Sequence, residues 1–171
     1  MGGVCTIEGH EAPACTDNFQ IVRPQFEVAG YQFHSAEQAY QASKFPVDSL
    51  AFQSVVSANP EAKTDEEFGM DVWRIGNSFP VRGNWDNVKV KSMYVANLCK
   101  FIQNTFLGEE LRATVGTIKA APSTWRWQFF NSKIMTKIRD LLANGMDLEA
   151  ELARVELLDG QAVQRELESY S

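Results

Sequence analysis

Histidine is nearly absent from this 171-residue chain, which has only His10 and His34, and cysteine is limited to Cys5, Cys15 and Cys99. That scarcity argues against a histidine-based metal centre, because Cys5, His10 and Cys15 lack zinc-ligand spacing and His34 stands apart. No metal or other cofactor is expected. Three cysteines and no apolar run after Met1 predict free thiols in an intracellular, by default cytoplasmic, setting rather than a disulfide frame. No segment approaches the ~18 apolar residues needed to cross a bilayer. An excess of positive charge is also missing: 16 Lys+Arg face 22 Asp+Glu, a net charge of −6. A broad nucleic-acid footprint normally needs a basic surface.

Apolar residues make up 44% and aromatics 11% of the chain, enough for a core and too many for a disordered segment. The length suits one domain. Charge is unevenly spread. Residues 140–171 hold eight acids and two bases, which accounts for the whole net charge, while Val72 to Leu107 holds five bases and one acid. A neutral body with a basic middle thus carries an acidic end. The opening Met1-Gly2-Gly3-Val4-Cys5-Thr6 fits the loose pattern for N-myristoylation, so membrane attachment is expected only if Gly2 is acylated. A single acyl chain would hold marginally.

Residues 1–16 lack periodicity and read as a loose arm. Phe26–Val28 and Tyr31–Phe33 alternate about Ala29-Gly30, a short hairpin. Ser35-x-x-Gln38 is a capping box opening a helix that Pro46 stops. Helices are predicted over 48–58, from the Thr64-x-x-Glu67 box toward Ile75, over 86–105, 108–115 and 132–144, and from Asp147 to Leu158. The expected architecture is α+β, predominantly helical: one domain over 17–144 with a short β-hairpin, then an acidic helical extension over 145–171. Nothing in the sequence points to an oligomer, so a monomer is the default.

The first helix holds the most informative spacing. Glu37, Tyr40, Gln41 and Lys44 stand at i, i+3, i+4 and i+7 and share a face. Ala36, Ala39 and Ala42 flank it and permit close approach. Glu37 and Lys44 are two turns, roughly 10 Å, apart, so their long side chains can converge on a small ligand. The same placement also suits the helix dipole, with an acid in the first turn and a base in the last. A second cluster, Arg82-Gly83-Asn84-Trp85-Asp86 with Lys89, sets an indole and cations at a helix entry, fit for a planar ring joined to an anion. Alternatively it is a capped helix start with a core Trp. A third, Trp125-Arg126-Trp127-Gln128-Phe129-Phe130, is a core plug or the wall of a base pocket.

The run Phe33-His34-Ser35-Ala36-Glu37-Gln38-Ala39-Tyr40-Gln41-Ala42-Ser43-Lys44-Phe45 resembles the signature of the YbiA-like, or NADAR, family. The likeness extends through Asn18-Phe19, Phe26-Glu27-Val28-x-Gly30, Arg82-x-x-Trp85-Asp86-x-x-Lys89 with Met93, Lys100-Phe101, Leu111 with Thr114, and Met135-x-x-Ile138-Arg139. It covers about residues 17–142 in the family's order. The resemblance implies cleavage of N-glycosidic bonds to ribose, either in ADP-ribose attached to guanine in DNA or RNA or in phosphoribosyl-amine intermediates of riboflavin biosynthesis. It implies Glu37 as the essential carboxylate, Lys44 as an amine able to form a Schiff base with the sugar, and Trp85 as a substrate-binding aromatic.

Beside that resemblance, Tyr40 and Gln41 are candidates to hold the ribose. Arg82, Asn84, Lys89, Trp125, Arg126 and Trp127 are candidates for the rest of the substrate. Arg82 and Lys89 are also the cations that could lower the lysine pKa. A non-catalytic ADP-ribose reader is the rival from another class. One departure stands out: bacterial relatives carry a Trp-Gly-acidic-Gly stretch before the final helix, where this chain has Trp125 to Asn131. A remodelled leaving-group loop is expected there, with Arg126 favouring an anion.

Overall fold

The computed structural model describes residues 2–171, and Met1, which opens the acylation-like run, lies outside the described residues. In chain order the elements are β1 (Thr6–Ile7), β2 (His10–Glu11), a 3-10 turn (Ala14–Thr16), β3 (Phe26–Val28), β4 (Tyr31–Phe33), α1 (Ala36–Ala42), α2 (Leu50–Val56) and α3 (Asp65–Gly76). They continue with α4 (Trp85–Gln103), α5 (Thr105–Arg112), β5 (Ile118–Lys119), α6 (Trp127–Ala143), α7 (Leu148–Leu157) and α8 (Gly160–Ser169). The chain is an α+β domain, mostly helical. No helix among the described residues is long and apolar enough to cross a membrane.

Local chemistry places α1. Ser35 Oγ accepts the Gln38 N–H at 3.0 Å, and Gln38 Oε1 accepts the His34 N–H at 2.7 Å. These two bonds satisfy donors that a helix start otherwise leaves orphaned. The Gln38 amide also donates to Val55 O at 3.0 Å, which ties α1 to the end of α2. All seven residues of α1 are buried, and the helix packs against α2, α3 and α4. A seven-residue helix is marginal alone; its alanines let three neighbours close on it. In the hairpin, Phe26 faces Phe33 and Val28 faces Tyr31, and Ala29 and Gly30 both take positive φ (51° and 88°). That is the twist a two-residue hairpin turn requires.

Several expectations are corrected. The segment expected as a loose arm is held: β1 pairs with β2 and with the distant β5, and Cys5 and Cys15 are buried. Strands of two residues carry too little alternation to be read from sequence. The helix expected over 108–115 starts at Thr105, because Asn104 ends α4 and its carbonyl accepts the Leu107 N–H at 3.0 Å. The helix expected from Ser132 starts at Trp127. Trp127, Phe130, Ile134 and Ile138 form one buried stripe, so Trp127–Phe130 of the aromatic run is the first turn of α6, while Trp125 and Arg126 lead into it.

Helix α8 follows α7, and both pack on α4. Gly160 makes the crossing possible, since a Cβ there would lie 2.1 Å from the Asn87 carbonyl oxygen. The acidic end is neutralised where it docks. Buried Glu151 accepts the Tyr94 hydroxyl at 2.6 Å and Arg154 Nε at 2.7 Å, with Lys137 at 3.4 Å. Lys91 donates to the Leu158 carbonyl at 2.6 Å, at the end of α7.

Candidate active site

The face of α1 opposite its alanines opens into a polar cavity of about 90 Å³. Glu37, Tyr40, Gln41 and Lys44 line it from α1 and its C-terminal end, so the i, i+3, i+4, i+7 set does converge. The Glu37 N–H donates to Asn18 O at 2.9 Å, and the Asn18 side chain accepts from the Asn97 amide at 2.9 Å, which fixes the start of α1 against α4. Lys44 lies just past the helix, and its carbonyl accepts the Arg82 N–H at 3.0 Å.

Five further residues from elsewhere contribute to the walls: Trp73 and Asn77 at the end of α3, Ser123 and Thr124 before α6, and Asn131 within it. None was legible as a site residue, because none shares a local pattern with α1. Asn18 and Met93, known beforehand only through the resemblance, also face the cavity.

Burial pushes the two charged groups toward their neutral forms. Glu37 is 7% exposed, and desolvation raises its carboxyl above the ordinary glutamate range, opposed chiefly by the hydrogen bond from Gln41. Lys44 is also 7% exposed, and desolvation lowers its ammonium, opposed by the Glu37 charge and assisted by Lys89. Each shift runs in the direction that general-acid and nucleophilic chemistry need.

The cavity also holds acceptors without donors. Among the described residues, Gln41 Oε1 and Asn131 Oδ1 are buried and have no hydrogen-bond partner. Such atoms are costly unless something donates to them. Gly76 keeps the first of them in place, since a Cβ there would lie 1.9 Å from Gln41 Oε1. No group of three or more His, Cys, Asp or Glu among the described residues could hold a metal ion.

The other sequence candidates stand elsewhere. Trp127 lines the cavity. Trp85 lies behind Tyr40, whose ring is wedged between Trp85 and Trp127 with both centroids 5.2 Å away. Trp125 is 48% exposed and lies outside the cavity, with Lys89 Nζ 3.7 Å from its centroid and Phe130 stacked on it at 5.4 Å and 17°. It braces Trp127 and pins Lys89, which also pairs with Asp86 at 3.0 Å. Arg126 pairs with Glu168 of α8 at 2.9 Å, and Asn84 is exposed at the start of α4 without a side-chain capping bond. Arg82 opens onto a groove on the other side of α1, beside Ala39 and Ser43.

The chain superposes on the NMR structure of the E. coli protein YbiA with a TM-score of 0.55, over 77% of its own length and 79% of the other chain. The chain has the YbiA-like fold. Sequence identity is 23%, so the likeness is one of fold. No protein-family model matches the sequence, and no curated protein matches it. In this YbiA-like fold the cavity is built around the one short helix that touches α2, α3 and α4 together.

Proposed function

We propose that the protein is an N-glycosidase that removes ADP-ribose from guanine bases of nucleic acid, with Glu37 as acid/base and Lys44 as the amine that takes the sugar. The observation that carries this reading is the buried Glu37–Lys44 pair beside two unpaired amide acceptors. Sugar hydroxyls are the donors those acceptors lack, and aromatic Tyr40, Trp73 and Trp127 suit a ring face. The ribosyl class itself comes from the family resemblance of the α1 motif.

The proposed steps balance. The Lys44 Nζ lone pair forms a bond to the anomeric carbon as the carbon–nitrogen bond to the base breaks, and Glu37 gives its proton to the departing base nitrogen. The Glu37 carboxylate then takes a proton from Nζ, and the lone pair this frees opens the sugar ring to a Schiff base as Glu37 returns that proton to the ring oxygen. Water adds to that carbon, Glu37 taking its proton, and collapse frees the sugar and the amine.

Cavity size favours a second substrate for the same chemistry. At about 90 Å³, against ~300–1,000 Å³ for ordinary small-molecule sites, the walls enclose a ring-sized fragment. A phosphoribosyl-amine of the riboflavin pathway needs less room than an ADP-ribosylated base. Incubation with an ADP-ribosylated guanosine oligonucleotide and, separately, with a phosphoribosyl-amine, followed by chromatography of the products, tests both. Release of ADP-ribose that Glu37→Gln slows by ~10²-fold or more is the expected result. Release from the small amine alone selects the second substrate, and tight binding of ADP-ribose without turnover of either contradicts the enzyme reading.

A further inference from the structure

Residues 2–4 have no place in the chemistry above, yet Gly2 forms part of the cavity wall. They run as an extended strap into β1. Three contacts hold the strap down. The Gly3 N–H donates to Asp17 Oδ1 at 2.9 Å, the Cys5 N–H donates to Thr16 Oγ1 at 2.9 Å, and Gly2 lies on the Phe19 ring. The fit leaves no room for a side chain, since a Cβ on Gly2 would sit 2.3 Å from Phe19 Cγ. Gly69 of α3 is equally tight on the same ring, with its Cβ position 2.1 Å from Phe19 Cδ2, so Phe19 is clasped between strap and helix.

Asp17 is the centre of this clip. The same Oδ1 also takes the Phe19 N–H at 2.9 Å, and it stands next to Asn18, whose carbonyl receives the Glu37 amide. From below, fully buried Lys100 donates to the Cys15 carbonyl at 2.8 Å and anchors the turn that presents Asp17. One short segment, 15–19, therefore holds both the strap and the start of α1.

We infer that Gly2 is the specificity-determining wall of this cavity, carried on the strap of residues 2–4, and that Asp17 is the positioning residue that holds the strap, limiting the enclosed space to one sugar ring. The inference takes the cavity to be the ribosyl site proposed above. A substrate with a bulky substituent on the strap side enters only when the Asp17 clip opens. A small ribosyl-amine needs no opening.

The full-length protein is treated with formaldehyde and cyanoborohydride, and methylation of individual lysines is followed by mass spectrometry. Asp17→Ala removes the acceptor of two backbone bonds, and labelling of Lys44 is expected to rise about tenfold over wild type, with Lys137, mostly buried on α6 beside Glu151, unchanged. Asp17→Asn keeps an acceptor oxygen and restores slow labelling. Gly2→Ala displaces the strap without touching Asp17 and gives the fast rate again. In parallel, Asp17→Ala raises kcat/KM for ADP-ribosylated guanosine relative to that for the phosphoribosyl-amine. Equal Lys44 labelling in wild type, Asp17→Ala and Gly2→Ala overturns the strap. If wild type turns over neither substrate, the N-glycosidase reading fails while the labelling rates still decide the strap.

Discussion

The Gln41 amide donates to Glu37 Oε1 at 2.7 Å, one turn along α1, with both residues buried. This bond aims the carboxyl into the cavity and is the largest influence restraining the rise of its pKa. Its other amide atom, Oε1, is left as an unpaired acceptor against Gly76. Gln41 thus serves the acid on one side and a ligand hydroxyl on the other.

Gln41→Leu removes the restraint, so Glu37 keeps its proton to higher pH. The alkaline limb of the kcat profile is expected to move to higher pH, because the hydrogen bond that favours the charged carboxylate is gone. KM should rise in the same variant. A limb that stays in place would show that Glu37 is not the group that must be protonated.

Buried Glu37 and Lys44 should each weaken the fold at neutral pH. A carboxyl with a raised folded pKa contributes stability that is fully present below its unfolded pKa and lost as pH rises through the folded value. Glu37→Gln is therefore expected to melt higher than wild type at neutral pH, by about 2–4 °C for each kcal/mol regained, and to lose that advantage in acid. Lys44 has the opposite sign: its lowered pKa lets stability fall as pH drops from the ordinary lysine range. Lys44→Met should likewise melt higher at neutral pH. Calorimetry across pH checks both.

Lys89 acts on Lys44 through its charge, held by Trp125 and Asp86. Removing it in Lys89→Gln raises the Lys44 pKa, so the acid limb of the pH–rate profile moves up and the neutral-pH rate falls. Trp125→Ala, which frees the ammonium without deleting it, should move the limb in the same direction by less. Equal profiles in both variants and wild type would remove Lys89 from the site.

Away from the cavity, Glu151 joins the acidic end to the body. Glu151→Ala leaves the buried Tyr94 hydroxyl without its acceptor and leaves Lys137 and Arg154 to Glu166 alone, a loss of about 1–3 kcal/mol. The stability Glu151 supplies is present above the ordinary glutamate range and disappears as pH falls through its depressed folded pKa. Urea melts at neutral and acid pH measure it.

The central helix was legible because its signals are local. Ser35, Gln38 and Pro46 mark its ends, and the spacing of Glu37, Tyr40, Gln41 and Lys44 puts them on one face. The hairpin at Ala29-Gly30 was legible for the same reason. What escaped depends on distant contacts. β1 finds β5 across more than a hundred residues, and Asn77, Thr124 and Asn131 reach the cavity only because α3 and α6 close around α1. Trp125 shows the reverse error of composition: an indole beside cations reads as a ligand platform, yet it lies outside the cavity and holds Lys89 and Phe130 against its ring.

The most direct measurement is borohydride trapping on an ADP-ribosylated guanosine oligonucleotide, with the modified residue located by mass spectrometry. Wild type should carry the reduced ADP-ribosyl adduct on Lys44, and Lys44→Ala should carry none and hydrolyse far more slowly. Equal trapping and equal hydrolysis by the two proteins would contradict the role given to Lys44.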